Sequence, residues 1–253
     1  MAAAPLALLW DVDGTLAETE LEGHRRAFNR AFAEAGLPWQ WDVALYQQLV
    51  RISGGRERIA AFLGQVEGER PDPERVERLQ CAKQRHYNAL VQAGELRLRP
   101  GVERLMRSAA EQGVRQAIVT TSGRAAVAAL LEQLLPEHRS WLEFWVCGED
   151  VPRKKPHPAA YSQALEALQL HPTAVLALED SGNGVAAAAA AGLAVLVTRS
   201  GASSAEPAQA FAAAAAELDH LGGPEQPCTV LRGPACLPGM VTLSYLQQLL
   251  PAR

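Results

Sequence analysis

The sequence predicts an α/β fold: a parallel sheet covered by helices, with a four-helix cap inserted after the first strand. Three observations carry this. The apolar run Leu6 to Leu9 leads through Trp10 into two carboxylates, Asp11 and Asp13, and then Gly14. Residues 20–94 are patterned as helix throughout. After Pro100, short apolar runs alternate with helical stretches. That alternation implies right-handed βαβ units and a parallel sheet with helices on both faces.

The first run is apolar at consecutive positions, as expected of a strand buried on both faces. Gly14 lets the chain leave the sheet sharply. In the helical interval, Ala27, Phe28, Ala31, Phe32 and Ala35 share one face of a helix around His24 to Glu34, which Gly36-Leu37-Pro38 ends. A second helix covers Val43 to Val50. Ser53-Gly54-Gly55 is a turn, Arg56 to Leu63 a third helix, and Pro71-Asp72-Pro73 opens a fourth that runs to Gly94. Beyond it, Pro100-Gly101 starts a helix to Gln112. Strands are expected over Gln116–Thr120, Phe144–Cys147, Ala174–Leu178 and Leu193–Val197. Helices are expected over Arg124–Leu135, Pro158–Leu168 and Val185–Ala191, and the Ala-rich stretch Ala212–Ala216 also reads as helix. Pro224 to Pro238 is rich in Pro, Gly and Cys and reads as irregular, with a helix over Val241–Leu250 to close the chain. The expected organisation is a core of residues 1–16 and 98–222, a cap of 17–97, and an irregular tail with a short terminal helix over 223–253. No internal repeat stands out.

Bulk properties exclude several classes. The net charge of −4 disfavours a nucleic-acid-binding surface. No apolar run has the length of a membrane span, and the N-terminal residues lack the pattern of a secretory signal. Cys81, Cys147, Cys228 and Cys236 form no CxxC pair, and such scattered thiols fit a reducing compartment. A Cys228–Cys236 disulfide remains open.

Four clusters fall at strand ends, the edge where open α/β sheets bind ligands. Asp11 and Asp13, at i and i+2, share a face. Two like charges there require a proton or a cation. Thr120-Thr121-Ser122-Gly123 closes one strand and opens a helix; its hydroxyls and N–H groups suit a phosphate oxygen, or Thr121 or Ser122 caps the helix. In Lys154-Lys155-Pro156-His157-Pro158 the prolines fix the backbone so that one lysine can be aimed, Lys155 rather than the surface candidate Lys154. Leu178-Glu179-Asp180-Ser181-Gly182 ends another apolar strand in carboxylates and supplies, with Asp11, the oxygen donors Mg²⁺ takes.

The order and spacing of these four clusters resemble those of the haloacid dehalogenase superfamily of phosphotransferases. Asp11-Val12-Asp13-Gly14-Thr15 matches its first motif, Thr120 its second, Lys155-Pro156 its third and Glu179-Asp180 its fourth. Leu16-Ala17-Glu18-Thr19-Glu20, His24-Arg25 and Gly54-Gly55-Arg56-Glu57-Arg58 further resemble the CbbY group of Rubisco-associated sugar-bisphosphate phosphatases, as do Trp41-Asp42-Val43, Leu98-Arg99-Pro100-Gly101 and Val151 to Pro156. Arg56 stands where that group more often has lysine. The resemblance implies a Rossmann-like sheet, hydrolysis of the Rubisco inhibitor xylulose 1,5-bisphosphate through an aspartyl-phosphate, and Mg²⁺ as cofactor. It implies Asp11 as nucleophile and Asp13 as acid/base. The metal is expected on Asp11, Asp180 and the Asp13 carbonyl. Thr120 and Lys155 are expected on the transferring phosphoryl group, with Glu179 holding Lys155.

Arg56 and Arg58 follow two glycines at a helix start, where N–H groups, dipole and guanidinium charge converge on a second phosphate. The other reading pairs Arg58 with Glu57 or Glu69 on a solvated face. The substrate-binding set is Asp11, Glu20, His24, Gly54, Gly55, Arg56, Glu57, Arg58, Thr120, Thr121, Ser122, Gly123 and Lys155, with Glu20 on sugar hydroxyls and His24 more often a hinge hydrogen-bonder than a catalyst. His86, His138, His171 and His220 read as surface or capping residues. The expected partner is a small sugar bisphosphate, without nucleic acid or membrane, and the link to Rubisco runs through its inhibitor. The expected state is a monomer in an autotrophic bacterial cytoplasm or a chloroplast stroma. A β-phosphoglucomutase-like phosphomutase, a sugar monophosphate or phosphoglycolate phosphatase, and a silent Rubisco-binding module are the alternatives.

Overall fold

The computed structural model describes residues 7–251. Leu6, and the ends of the first and last expected segments, lie outside the described residues, as does the His138 side chain. Strand β1 (Ala7–Trp10) is followed by a π-helical turn (Glu20–Arg25) and helices α1 (Arg26–Glu34), α2 (Val43–Leu49), α3 (Gly55–Glu67) and α4 (Pro73–Gln92). The chain then returns through α5 (Val102–Glu111), β2 (Arg115–Val119), α6 (Arg124–Leu134), α7 (His138–Trp141), β3 (Trp145–Val146) and α8 (Ala159–Leu168). It ends with β4 (Val175–Glu179), α9 (Gly182–Ala190), β5 (Ala194–Thr198), β6 (Ala216–Leu218), β7 (Val230–Arg232) and α10 (Leu243–Leu249).

Among the described residues the strands form one sheet in the order β3-β2-β1-β4-β5-β6-β7. All pairings are parallel except β6–β7. The run through β1 is apolar at every position because successive side chains face opposite cores. Leu8 and Trp10 pack with α5, α6 and α10, while Ala7 and Leu9 pack with α8 and α9. A third core lies within the inserted helices. Phe28, Phe32, Trp41, Tyr46 and Phe62 meet there with ring centroids mostly 4.6–6.4 Å apart. Each such buried ring contributes about 2–3 kcal/mol, which lets this layer hold together away from the sheet.

Two segments depart from expectation. Ala212–Ala216 is not a helix: it is a turn leading into β6, whose Ala216 aligns with Leu196 of β5. Alanine tolerates this because β6 is paired on both sides, by β5 and β7, and Ala216 is fully buried. The tail is also not wholly irregular. Val230–Arg232 adds the antiparallel strand, and Val241, Leu243, Leu246 and Leu249 are buried in the sheet's main core. Arg104 of α5 ties this segment down by donating to the Leu221, Gly222 and Val241 carbonyls. Cys228 and Cys236 are free thiols.

The inserted helices join the sheet through two crossing segments that are paired to each other. Arg99 N–H donates to the Leu16 carbonyl at 2.9 Å and Glu18 N–H to Arg97 at 3.3 Å. The buried Arg99 guanidinium also donates to the Gly14, Thr198, Arg199 and Asp219 carbonyls.

Candidate active site

Strands β1, β2 and β4 all point their carboxyl ends at one edge, so their sequence-adjacent motifs converge. Gly14 holds φ +84°, and a Cβ there would lie 2.1 Å from Asp180 Oδ2. Only glycine lets the turn after β1 nest against the carboxylate after β4.

Lys155 is the centre of the convergence. Its ammonium donates to Asp11 Oδ1 at 2.6 Å, Glu179 Oε1 at 2.6 Å and the Val119 carbonyl at 2.7 Å. All three donors are spent. Tyr161 donates a further hydrogen bond to Glu179 Oε1. Asp11, Glu179 and Asp180 offer oxygens within 4.8 Å of one another, all buried. Burial, reinforced by Glu179 and Asp13, pushes Asp11 well above the usual carboxylate range despite Lys155. Burial and Asp11 push Asp180 up as well, despite the hydroxyl that Ser200 donates to it. Lys155 moves the other way: burial would lower it, but Asp11 and Glu179 hold it above its ordinary value. The ammonium thus bonds two of the three buried carboxylates, Asp11 and Glu179. Glu179 Oε2 is buried with no hydrogen-bond partner. A surplus of buried hard oxygen donors over bonded cations fits a divalent cation.

The Asp13 carboxylate is used differently. It accepts from Thr19 Oγ1 at 2.6 Å, Ser122 Oγ at 2.5 Å and His24 Nε2 at 2.9 Å. Burial would raise its pKa, but the His24 charge and these three hydrogen bonds outweigh burial and hold it well below the usual range. Ser122 therefore does not cap α6. The cap position is Gly123, without a side-chain bond. Thr120 is buried and accepts the Ser122 N–H at 3.1 Å.

His24 reaches Asp13 from the π-helical turn, the wider coil often found at functional sites. Its other ring nitrogen meets Lys83 Nζ of α4 at 2.9 Å. Lys83 lies over the Phe28 and Tyr87 rings, and burial lowers its pKa to about 8. Sequence reading missed Lys83, because no local pattern distinguishes it from the other cations of that helix.

Two cavities adjoin these groups. The inner, about 60 Å³, is lined by Asp11, Asp13, Glu20, Arg58, Lys155 and Asp180. The outer, about 370 Å³, is lined by Gly54, Gly55, Arg56, Ser122, Gly123 and Lys154. Thr121 borders both. Arg58 is not on a solvated face. It is buried, donates to Tyr46 Oη at 2.7 Å and lies 3.5 Å from Glu20. Tyr46 in turn donates to Glu20. Arg56 is largely exposed and pairs with Glu77. Lys154, expected at the surface, instead forms an ion pair with Glu57 at 2.6 Å, core to inserted helix. Gln47 to the Gly201 carbonyl and Asn183 to the Arg51 carbonyl, both 2.8 Å, are further contacts of this kind.

Residues 6–192 match the family profile described as haloacid dehalogenase-like hydrolase. The chain belongs to this family. It is 42% identical over 226 residues to the plasmid-borne protein CbbY of Cupriavidus necator, covering 87% of each. It is 39% identical over 234 residues to a CBBY-like protein of Arabidopsis thaliana, covering 89% of this chain and 72% of the other. Among solved structures, an Asp-to-Asn variant of CbbY from Rhodobacter sphaeroides, in complex with xylulose 1,5-bisphosphate, superposes with a TM-score of 0.79. The two are 39% identical over 88% of this chain and 98% of that one. The chain is an enzyme, a CbbY-like phosphatase of this hydrolase family. The match to the family profile stops before β5, so β5, β6, β7 and α10 lie outside it.

Proposed function

We propose that this haloacid dehalogenase-like hydrolase is a Mg²⁺-dependent sugar-bisphosphate phosphatase, with xylulose 1,5-bisphosphate as substrate. The observation that carries the reading is one lysine among three buried carboxylates, at a cavity whose other wall bears arginines. The CbbY structure bound to that bisphosphate supports the choice of sugar.

In this reading Asp11 attacks phosphorus and becomes an aspartyl-phosphate. Lys155 and Thr120 hold the transferring oxygens, and Glu179 fixes Lys155. Asp11, Asp180 and the Asp13 carbonyl hold the metal, which neutralises charge that would repel the nucleophile. Asp13 protonates the leaving sugar oxygen and then takes a proton from the attacking water. Its carboxylate is set for the second task. An anionic substrate beside it favours the proton uptake that the first task needs. Arg58 and Glu20 face the sugar, and Gly54, Gly55 and Arg56 receive the far phosphate in the outer cavity.

Residues 17–97 act as a lid on a core of 1–16 and 98–222, excluding water and orienting the sugar. The enzyme then clears a Rubisco inhibitor, acting as a monomer in a bacterial cytoplasm or chloroplast stroma. Among the described residues no helix is long and apolar enough to cross a membrane.

A screen of sugar mono- and bisphosphates, with inorganic phosphate as readout, tests this. Release from the pentulose bisphosphate that stops with a chelator and returns with Mg²⁺ is expected. Conversion without phosphate release would make the chain a mutase. No turnover on any sugar phosphate would leave a binding module.

A further inference from the structure

We infer that Lys154 determines specificity: it grips the far phosphate from the core side, and Glu57 holds that place until substrate arrives. This rests on the bisphosphatase reading above. Lys154 precedes Lys155, yet the two side chains serve different cavities. The Lys154 stem runs beside Gly148, where an added Cβ would stand 3.5 Å from its Cε. Its ammonium donates to Glu57 Oε1 at 2.6 Å. A Cβ on Gly54 would fall 2.1 Å from Glu57 Oε2 and 2.6 Å from the Lys154 ammonium. The pair is therefore seated on bare backbone at the cavity wall, with the Lys154 side chain 24% exposed.

Two cations and one backbone N–H of the outer cavity already carry a carboxylate. Lys154 has Glu57, Arg56 has Glu77, and the Arg124 N–H at the start of α6 has Glu149 at 2.8 Å. A phosphate carries more charge and three acceptor oxygens, so it can take Lys154 from Glu57. A sugar hydroxyl has no charge with which to compete. Without a far phosphate the pair stays closed and no cation is left unpaired. Preference for a bisphosphate then comes from a contest that a neutral group loses as well as from attraction.

The test compares a pentulose bisphosphate with the monophosphate that lacks its far phosphate, in Mg²⁺-loaded enzyme. Lys154→Met is expected to raise KM for the bisphosphate about 10- to 100-fold more than KM for the monophosphate, the loss of a charged hydrogen bond. Lys154→Arg restores the preference, and Glu57→Gln lowers the bisphosphate KM. If Lys154→Met moves both KM values alike, or acts on kcat instead, the inference is overturned while the functional reading stands. If Glu57→Gln raises the bisphosphate KM, Glu57 supports Lys154 rather than competing, and the contest is refuted. A wild type that releases phosphate from neither sugar overturns the reading and the inference together.

Discussion

Among single residues, Lys83 carries the clearest pH signature. It is buried, and desolvation brings its pKa from 10.5 down to about 8. An unfolded chain keeps that proton to higher pH than the folded one. Between these values unfolding takes up a proton, so raising pH disfavours unfolding. Thermal or urea unfolding of the wild type is expected to show stability rising from pH 8 toward 9, with a slope approaching about 1.4 kcal/mol per pH unit, before the Cys147 and Cys236 thiols, which burial pushes up from 9 to about 12, pull the other way. Lys83→Met should flatten this rise, and a slope that survives the substitution would assign it elsewhere. The contrast with Asp11 and Lys155 shows what sequence can carry. Asp11 follows a strand and Lys155 precedes the prolines that fix it locally, so neighbouring residues mark them. Lys83, Tyr161 and Ser200 acquire partners 18 to 59 residues away in sequence that only packing supplies.

At the scale of elements, most helices and strands were legible because their apolar period is strong and their ends carry glycine or proline. The failures share a cause. Ala212–Ala216 has high helix propensity, but the neighbouring strand captures its end as β6, and β6 in turn recruits β7 from a stretch with no alternating pattern. Tertiary pairing overrode local preference. The terminal helix was expected, but its role was not: Leu246 is fully buried against the sheet. Leu246→Ala is expected to cost about 3 kcal/mol in urea unfolding. A cost under about 1 kcal/mol would make α10 a loosely attached appendage.

For the whole molecule, the balance of buried charge links folding to function. Three clustered carboxylates, only two of them bonded to Lys155, leave the metal-free site self-repelling. In chelator, Asp11→Asn is therefore expected to melt at or above the wild type while phosphate release falls by about 10⁴-fold, the scale of losing a nucleophile. Added Mg²⁺ should raise the wild-type melting temperature by mass action, about 2.7 kcal/mol at a hundred times the dissociation constant, and raise that of the variant less. An equal rise in both would remove Asp11 from the metal. The convergence of three strand ends was readable from sequence as an ordered set of motifs. The two nested cavities were not, since one wall of each comes from helices whose placement depends on the paired crossing segments.

Those crossing segments have a mechanical corollary. Both strands of the neck are bonded to one another and to Arg99, so the helices above have a single pivot instead of two loose tethers. Rotation about one pivot shifts every distant point together. If the helices swing open about that pivot as one body, Gln47 leaves Gly201 and Arg51 leaves Asn183 in the same event, whereas Glu57 can also be displaced from Lys154 by a bound phosphate with the rest of the clasp shut.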